Sequence, residues 1–538
     1  MLAVLGVLLP APNARAVANA AAAATESPDA TRAAMLQMRL GGNAVDAAVT
    51  AALVAGVTNP TSSGIGGGGF ALVWTAADQK AFLLDFRETA PQAVDAAAFD
   101  QRPLPAHRQG VLVGVPGEVR GLYELHRKFG KRAWADVVKP AQEAATKGFQ
   151  VARHLAGSLA SAGDKLKVDP GLASVFYPGG KAALLGRRIT NPKLGNTLAL
   201  IAQQGPQAFY EGAVAADLVE ATRANGGALT LSELKAYQPL ERTPLSFEWE
   251  GKRIFTMPLP SAGGLMLAQT LAMFGSEELK KYGYQSGAYQ HMLAEAMRAA
   301  IADRMRYLGD PAFQKVDFKA LLAPKRLAAR RRSMSLDRTH GMPRFGLEEH
   351  GTHHLTLLDK DGNMVALTTT VNRLFGAKFT APQSGVVLND QLDDFTSAED
   401  VKPFGLKQSP NRARPGARPL SSMTPTIVTY RGRAILGLGG SGGSTIPTNV
   451  TQMLLAQLVF GRTPEQALAD RRFYIPTKRA YILLEQGSAK ELREDLEWRG
   501  EIVGDMTYSG TAVQMVSVQD GRVLAGADKR KHGLALAY

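Results

Sequence analysis

The chain has 538 residues, of which 45% are hydrophobic and 20% charged, a composition typical of a globular protein long enough for more than one domain. It contains no cysteine, which excludes disulfides, cysteine nucleophiles and cysteine metal sites. The formal net charge is +14, but the basic residues do not alternate with aromatic ones and form no nucleic-acid motif, so we expect no nucleic-acid partner.

The N-terminal segment is apolar and rich in alanine. Residues 2–9 are typical of the hydrophobic region of a signal peptide, and residues 14–16 and 18–20 are typical of small-residue cleavage sites. A positively charged leading region is missing, which indicates a truncated start. We therefore expect a signal peptide over residues 1–20 and a periplasmic or secreted protein. No later apolar run is long enough to span a bilayer, so we expect no stable membrane insertion.

The first predicted elements are a helix, a glycine-rich turn and a strand. Residues 44–56 are small and apolar with helical spacing, which predicts a helix that packs closely on a sheet. Residues 64–69 formally contain G-x-G-x-x-G, but a dinucleotide site requires the order strand, glycines, helix. Here the glycines follow the helix and precede a strand over residues 70–74. We expect them to let backbone approach another backbone or a substrate.

The later elements alternate between helices and strands. Strands are predicted over residues 81–86, 111–115, 247–257, 426–430 and 434–438, and helices over residues 116–129, 290–308, 447–460 and most of 134–237. Residues 325–344 are strongly basic and are interpreted as an exposed connector. Residues 396–417 are rich in proline, glycine and basic side chains, which indicates a long surface loop of the kind that forms lids and binding loops.

The segment from residue 350 to residue 372 predicts a β-hairpin in the core. Two apolar and β-branched runs flank an Asp-Lys-Asp-Gly-Asn turn at residues 359–363. With this loop, Leu357 lies opposite Val365 on an apolar face, while Thr352 lies opposite Thr370 on the other face, with Asn372 two residues further on. A loop one residue shorter would reverse the faces. Two ordinary strand threonines would give the same pattern, so the hairpin alone does not show whether Thr352 and Thr370 form a functional site.

Several segments, in order along the chain, resemble the γ-glutamyltranspeptidase family, also called γ-glutamyltransferase or glutathione hydrolase: residues 42–48, 63–70, 85–91, 115–121, 293–310, the hairpin, 393–395, 419–425 and 442–444. The family belongs to the N-terminal-nucleophile hydrolases. The resemblance implies an α+β fold, a four-layer αββα sandwich. It also implies a zymogen that cuts itself between Gly351 and Thr352 into a large subunit, residues 21–351, and a small subunit, residues 352–538, which build the fold jointly.

The chemistry of this cut can be argued from the residues. The Thr352 hydroxyl attacks the carbonyl of Gly351, an N-to-O acyl shift gives an ester, and water opens it. Glycine at the preceding position leaves that carbonyl unobstructed. The freed Thr352 carries both a hydroxyl nucleophile and an α-amine base with an ordinary pKa near ~8, so neither histidine nor metal nor other cofactor is required. The resemblance implies that the acyl group is γ-glutamyl, taken from glutathione or a related compound and released by water or by an amino acid or peptide amine.

The resemblance also assigns the remaining site residues. It implies that Thr370 binds the nucleophile, that Gly442 and Gly443 form the oxyanion hole, that Arg87 with Ser421 and Ser422 binds the substrate α-carboxylate, and that Asn372, Gln391 and Asp394 surround its α-amine. Taken alone, Arg87 would be interpreted as a surface salt bridge and Asp394 as a turn or cap residue. Their joint occurrence favours the site.

Two positions depart from the family pattern. His353 stands where the family often has a second threonine; on a strand it points away from Thr352, and with His354 facing the other way we expect no metal pair. Phe404 lies near the position of a lid tyrosine and lacks its hydroxyl. Two alternatives stay open: an acylase of the same superfamily for glutaryl-type amides such as cephalosporin side chains, and a catalytically silent binding protein with the same fold.

Overall fold

The structure is a computed structural model that describes residues 20–341, 351–476, 481–506 and 511–538. In chain order the strands are β1 (Ala22–Thr25), β2 (Gly68–Thr75), β3 (Lys80–Phe86), β4 (Phe149–Gln150), β5 (Arg188–Ile189), β6 (Leu240–Arg242), β7 (Leu245–Trp249), β8 (Lys252–Thr256), β9 (His353–Leu358), β10 (Met364–Thr370), β11 (Thr426–Tyr430), β12 (Arg433–Ser441), β13 (Phe473–Tyr474), β14 (Ile482–Glu485), β15 (Val503–Met506), β16 (Ala512–Gln519), β17 (Arg522–Ala527) and β18 (Leu534–Ala537).

The helices follow the same order: α1 (Pro28–Arg39), α2 (Ala44–Thr58), α3 (Glu118–Phe129), α4 (Trp134–Lys147), α5 (Arg153–Ala162), α6 (Pro170–Phe176), α7 (Pro192–Gln204), α8 (Gln207–Tyr210), α9 (Gly212–Ala224), α10 (Leu231–Ala236), α11 (Gly263–Ala272), α12 (Ser276–Tyr282), α13 (Gly287–Tyr307), α14 (Phe318–Leu321), α15 (Pro324–Ser333), α16 (Ala398–Val401), α17 (Ile446–Leu458), α18 (Pro464–Ala469) and α19 (Lys490–Trp498). Short 3-10 helices include Ala106–Leu112, Gln391–Asp394 and Lys529–Lys531.

Two antiparallel sheets form the middle of the molecule. Within the described residues, the first sheet has the order β18-β1-β9-β10-β2-β3-β6 and the second has the order β17-β16-β12-β11-β8-β7. The hairpin β9-β10 therefore lies at the centre of the first sheet, where strands pair on both of its sides. β12 lies inside the second sheet between β11 and β16.

Helices cover the outer face of each sheet. On the first sheet, α2 packs over β9 and β10 with its small side chains all buried, as its composition predicted. On the second sheet, α17 packs against β12, and α11 and α13 extend that layer. The facing sides of the sheets share one apolar core. The predicted α+β, four-layer αββα architecture is confirmed. None of the helices in the described ranges combines the length and the apolar character that crossing a bilayer requires.

The register of the hairpin is the predicted one. Leu358 pairs with Met364, Leu357 with Val365 and Leu355 with Leu367, and the strands end on either side of residues 359–363. The apolar face made by the odd-numbered residues of β9 packs against the α2 side. Continuing the same register places Thr352 opposite Thr370, at the open end of the hairpin and on the face that packs against the second sheet.

The glycines at the start of β2 serve close backbone contacts, as expected. A Cβ atom on Gly67 would lie 2.0 Å from the carbonyl oxygen of Thr370, and one on Gly69 would lie 2.2 Å from that of Thr368. Side chains at these positions would separate β2 from β10. The glycines thus hold β10 and its last residue, Thr370, in place.

Two predicted segments differ from the structure. Residues 111–115 do not form a strand: the 3-10 helix Ala106–Leu112 runs into them, and Val115 makes a single isolated bridge to Thr89. The basic segment is not simply exposed, because its first part is helix α15, in which Arg326 and Arg330 bind the buried carboxylate of Asp303 at 2.7–2.8 Å. Its last residues, 342–344, and residues 1–19 of the predicted leader lie outside the described ranges.

Candidate active site

Thr352 lies immediately before β9, at the edge between the two sheets. It is 5% exposed, and its backbone φ is +74°, a left-handed value that a β-branched residue rarely adopts. Such a conformation costs of order 1–3 kcal/mol and persists only where the surroundings impose it. The Thr352 Oγ1 atom lies 3.2 Å from the Thr370 Oγ1 atom, so the two hydroxyls meet as the hairpin register predicted.

The residue before it, Gly351, occupies a position that only glycine fits. Its φ is +100°, and a Cβ atom would lie 1.7 Å from the carbonyl oxygen of Asn372. The carbonyl oxygen of Gly351 accepts a hydrogen bond from the backbone N–H of Gly442 at 3.1 Å. Gly442 follows the end of β12 with φ +113°, and Gly443 continues with φ +64°. The glycine pair of the second sheet therefore meets the peptide bond that precedes the hairpin.

A buried ion pair lies next to the two threonines. Arg87, at the end of β3 and 1% exposed, donates through Nη2 to Asp394 Oδ2 and through Nε to the carbonyl oxygen of Pro419 at 3.2 Å. Gln391 Nε2 donates to the same carboxylate oxygen of Asp394 at 2.8 Å. The Arg87 guanidinium and the Gln391 amide thus bind the same oxygen of the Asp394 carboxylate, and burial strengthens such charged hydrogen bonds.

Three further predicted residues complete the surroundings. The N–H of Asn372 donates to Thr370 Oγ1 at 2.8 Å, so this residue fixes the second threonine. Ser421 Oγ accepts from the N–H of Met423 at 3.0 Å. Ser422 Oγ accepts from Nη1 of Arg304, a buried residue of α13. Because a guanidinium can only donate, the Ser422 hydroxyl is the acceptor in that bond and its own proton is directed elsewhere.

Most of the predicted site residues line one small cavity: Arg87, Thr352, Thr370, Asn372, Gln391, Asp394, Ser421, Ser422 and Gly443. Gly442 lies just outside this lining, in contact with Gly351. Met423 and Ile446 also line the cavity, and sequence reasoning missed both because single apolar residues carry no signal of a site. Phe404 is not part of the lining; it is buried in the apolar core that the facing sides of the two sheets share.

The side chains of His353 and His354 do not line the cavity. His353 lies on the α2 side and His354 binds Thr368 Oγ1 and Thr356 Oγ1 at 2.8 and 3.0 Å. Burial lowers the pKa of His353 to about 3 and that of His354 well below its usual value, so both are neutral. Among the described residues, no group of three or more His, Asp or Glu side chains is arranged to hold a metal ion.

Two carboxyl groups are buried behind Arg87. Glu88 is fully buried, and burial raises the pKa of its carboxyl group to about 8 although Arg87 opposes the shift. Glu118 accepts from Thr369 Oγ1 at 2.6 Å, and its pKa is raised well above the usual value, chiefly by burial. Both shifts favour the uncharged acid at neutral pH. The charged groups described next to the cavity are therefore the Arg87–Asp394 pair and Arg304, which binds Ser422.

One residue near the Gly351-Thr352 bond had no counterpart in the sequence analysis. Lys531, near the C-terminus, places its Nζ atom 3.4 Å from the carbonyl oxygen of Gly351. The two residues are separated by 180 positions, and a single lysine in a basic chain gives no sign of such a contact.

Comparison with known proteins covers almost the whole chain. The family model described as Gamma-glutamyltranspeptidase matches residues 30–538. Glutathione hydrolase 2 of Arabidopsis thaliana is 36% identical over 535 residues, covering 93% of this chain and 91% of its own length. The glutathione hydrolase proenzyme of Escherichia coli (strain K12) is 34% identical over 509 residues, covering 92% and 87%. Among solved structures, a cephalosporin acylase from Bacillus halodurans superimposes with a TM-score of 0.85 at 25% identity, covering 99% of each chain.

Proposed function

The chain belongs to the γ-glutamyltranspeptidase family, and we propose that it is an enzyme that cuts its own Gly351-Thr352 bond and then hydrolyses or transfers γ-glutamyl groups. One observation carries the proposal. Thr352 Oγ1 is paired with Thr370 Oγ1 at 3.2 Å, while the neighbouring Gly351 carbonyl accepts the Gly442 N–H at 3.1 Å. A nucleophile lies beside a carbonyl group that a backbone donor already polarises.

The first reaction is the cleavage of the precursor. The Thr352 hydroxyl attacks the Gly351 carbonyl carbon, and the acyl group passes from the Thr352 nitrogen to its oxygen. The left-handed backbone of Thr352 is strained, and breaking the peptide bond that precedes it releases this strain. Water then opens the ester. The products are a large subunit that ends at Gly351 and a small subunit that begins at Thr352, and they stay together because β1 of one pairs with β9 of the other.

The second reaction uses the amine that the cleavage sets free. The α-amine of Thr352 serves as the base for its own hydroxyl, because an N-terminal amine with a pKa near ~8 is partly neutral at physiological pH. The hydroxyl attacks the γ-carbonyl of the donor, and the N–H groups of Gly442 and Gly443 stabilise the oxyanion. Such donors typically contribute about 3 kcal/mol each to the transition state. Water or the amine of an amino acid or peptide then takes the γ-glutamyl group.

The Arg87–Asp394 pair supports a substrate with an α-amino acid end. The guanidinium of Arg87 binds the α-carboxylate, with the hydroxyls of Ser421 and Ser422 beside it. The carboxylate of Asp394 binds the α-ammonium, and Gln391 holds that carboxylate in place. Each charge of the zwitterion then faces its opposite charge. Glutathione and other γ-glutamyl compounds present this end group.

The similarity to a cephalosporin acylase favours a second candidate, hydrolysis of glutaryl amides. A glutaryl group lacks the α-ammonium, so it forgoes a charged hydrogen bond to Asp394 worth about 1.5–3 kcal/mol, or about 10- to 100-fold in rate. The test compares γ-glutamyl and glutaryl p-nitroanilides, with and without Asp394→Asn. We expect the wild type to prefer the γ-glutamyl substrate and Asp394→Asn to lose most of the preference.

Asp393→Asn is the matched control, because this neighbouring carboxylate binds Arg102 and Arg373 and does not line the cavity. Its substrate preference should equal that of the wild type. A wild type that prefers the glutaryl substrate would make the chain an acylase. A chain that is never cut and turns over neither substrate would be a binding protein, and Thr352→Ala is the variant that should behave in this way.

We also propose that the enzyme acts in the periplasm or outside the cell. The apolar residues 2–9 and the small-residue sites after them support export. The E. coli relative is named a proenzyme, which supports maturation of this chain by cleavage. Cell fractionation with the full coding sequence tests the location, and recovery in the cytoplasm would refute it.

A further inference from the structure

A buried lysine lies against the bond that the precursor breaks. Lys531 is the last residue of the 3-10 helix Lys529–Lys531, shortly before β18, and its side chain is 3% exposed. Lysine is almost never buried in proteins unless its charge is paired, because removing an ammonium group from water is costly. None of the roles derived above for the cavity residues explains this position.

The Lys531 Nζ atom lies among four oxygen atoms, which belong to the end of β12, the start of β9 and the residue after β1. It donates to Ser441 Oγ at 2.7 Å and is 3.3 Å from a carboxylate oxygen of Glu26. It also lies 3.3 Å from the carbonyl oxygen of Thr352 and 3.4 Å from that of Gly351. The last of these is the oxygen that gains negative charge when Thr352 attacks.

That oxygen has a second donor, the N–H of Gly442 at 3.1 Å. Gly442 directly follows Ser441, so the bond from Lys531 to Ser441 also holds the segment that presents this N–H. Two fixed donors on one carbonyl oxygen, one of them a cation, are what an oxyanion hole requires. We propose that Lys531 is a catalytic residue of self-cleavage, which stabilises the oxyanion on Gly351; this inference rests on the self-cleavage proposed above.

The reaction needs no reagent other than water. The Thr352 oxygen bonds to the Gly351 carbonyl carbon, its proton is delivered to the Thr352 nitrogen, and the carbonyl electron pair moves onto the oxygen that faces Lys531. The return of that pair breaks the C–N bond and leaves an ester and a free α-amine. Water hydrolyses the ester to the Gly351 carboxylate and the Thr352 hydroxyl. Lys531 acts only as a hydrogen-bond donor and transfers no proton.

Glu26 supplies the counter-charge. It directly follows β1, and its Oε1 accepts from the N–H of His354 at 3.1 Å. Burial raises the pKa of the Glu26 carboxyl group, and Lys531 acts in the opposite direction. β1 pairs with β9 on one side and with β18 on the other. Glu26, which follows β1, and Lys531, which precedes β18, both contact the start of β9. A pair with a purely structural role would also stabilise the C-terminal strand. The experiment therefore measures the stability of each variant separately from its rate of cleavage.

The experiment follows the intact precursor by pulse-labelled translation and denaturing gel, and measures the melting temperature of each purified product. We expect Lys531→Met to slow cleavage about 100-fold, the usual effect of losing one oxyanion donor. Lys531→Arg keeps a cationic donor and should recover part of the rate. Lys529→Met, an exposed lysine of the same turn, is the matched control and should be cut like the wild type.

The double variant Glu26→Gln/Lys531→Met removes both charges, so it leaves no unpaired carboxylate. Slow cleavage of this variant, with a cooperative melting transition, supports the catalytic role. Cleavage at the wild-type rate in either Met variant overturns it, as does failure of both to fold, which would make Lys531 a structural residue. A wild-type precursor that is not cut at Gly351 would instead refute the proposed function itself.

Discussion

Substitution of Gly351 by alanine perturbs the precursor at its most constrained position. The added Cβ atom would lie 1.7 Å from the carbonyl oxygen of Asn372, whereas ordinary contacts begin at 3.4 Å, so about 1.7 Å of space has to be opened. The backbone adds its own penalty, because φ is +100° and left-handed conformations cost an L-residue of order 1–2 kcal/mol.

The residue that the new Cβ atom would displace, Asn372, also positions Thr370. The Asn372 N–H donates to Thr370 Oγ1, and Thr370 Oγ1 lies 3.2 Å from the nucleophile. A misplacement of about 1 Å at a reacting group can cost ~100-fold in rate. We therefore expect Gly351→Ala to slow self-cleavage by about 100-fold or more, even though the nucleophile and its partner are unchanged.

The assay is a time course of precursor and fragments on a denaturing gel, with the cut site checked by mass spectrometry. Gly461→Ala is the matched control, because its φ is +66° and a Cβ atom there meets no atom within 4 Å. This variant has the backbone penalty without the clash, and it should be cut like the wild type with a slightly lower melting temperature. Cleavage of Gly351→Ala at the rate of Gly461→Ala would refute the steric argument.

Three further predictions concern the mature site and its surroundings. Arg87→Lys should raise KM about 10- to 100-fold, measured with a γ-glutamyl anilide, because an ammonium cannot bind a carboxylate through two parallel bonds while it also pairs with Asp394. Thr370→Val keeps the volume but removes the hydroxyl from Thr352, and should lower kcat at least about 10-fold. Glu88→Gln should change the pH dependence of stability. Because the pKa of Glu88 is raised to about 8 by burial, its contribution to stability is complete below its ordinary pKa and is lost as the pH rises through 8. The melting temperature of the wild type should therefore fall relative to that of Glu88→Gln between pH 5 and pH 8.5, and parallel curves would contradict this.

The central hairpin was predictable because its information is local. The turn at residues 359–363 fixes the loop length, and the apolar alternation fixes the register, so the pairing of Leu357 with Val365 followed directly. The meeting of Thr352 with Thr370 came from the same arithmetic. The gathering of Arg87 and Asp394 around one cavity came from the family resemblance instead, because no spacing rule connects residues 307 positions apart.

The incorrect predictions have a common physical cause. An apolar run such as residues 111–115 has the same composition in a strand and in a packed irregular segment, and only the tertiary contacts decide between them. Arg326 and Arg330 looked like solvated charges because their partner, Asp303, lies on a different helix. Lys531 was missed for the same reason: its oxygen partners belong to three separate strand ends.

The most direct test is the N-terminal sequence of the smaller fragment from purified, active protein. The proposed γ-glutamyl chemistry requires that cleavage give Thr352 a free α-amine. The account predicts that the fragment begins with Thr-His-His-Leu, from residue 352 onwards. A fragment that begins at any other residue, or full activity from a chain that is never cut, would contradict it.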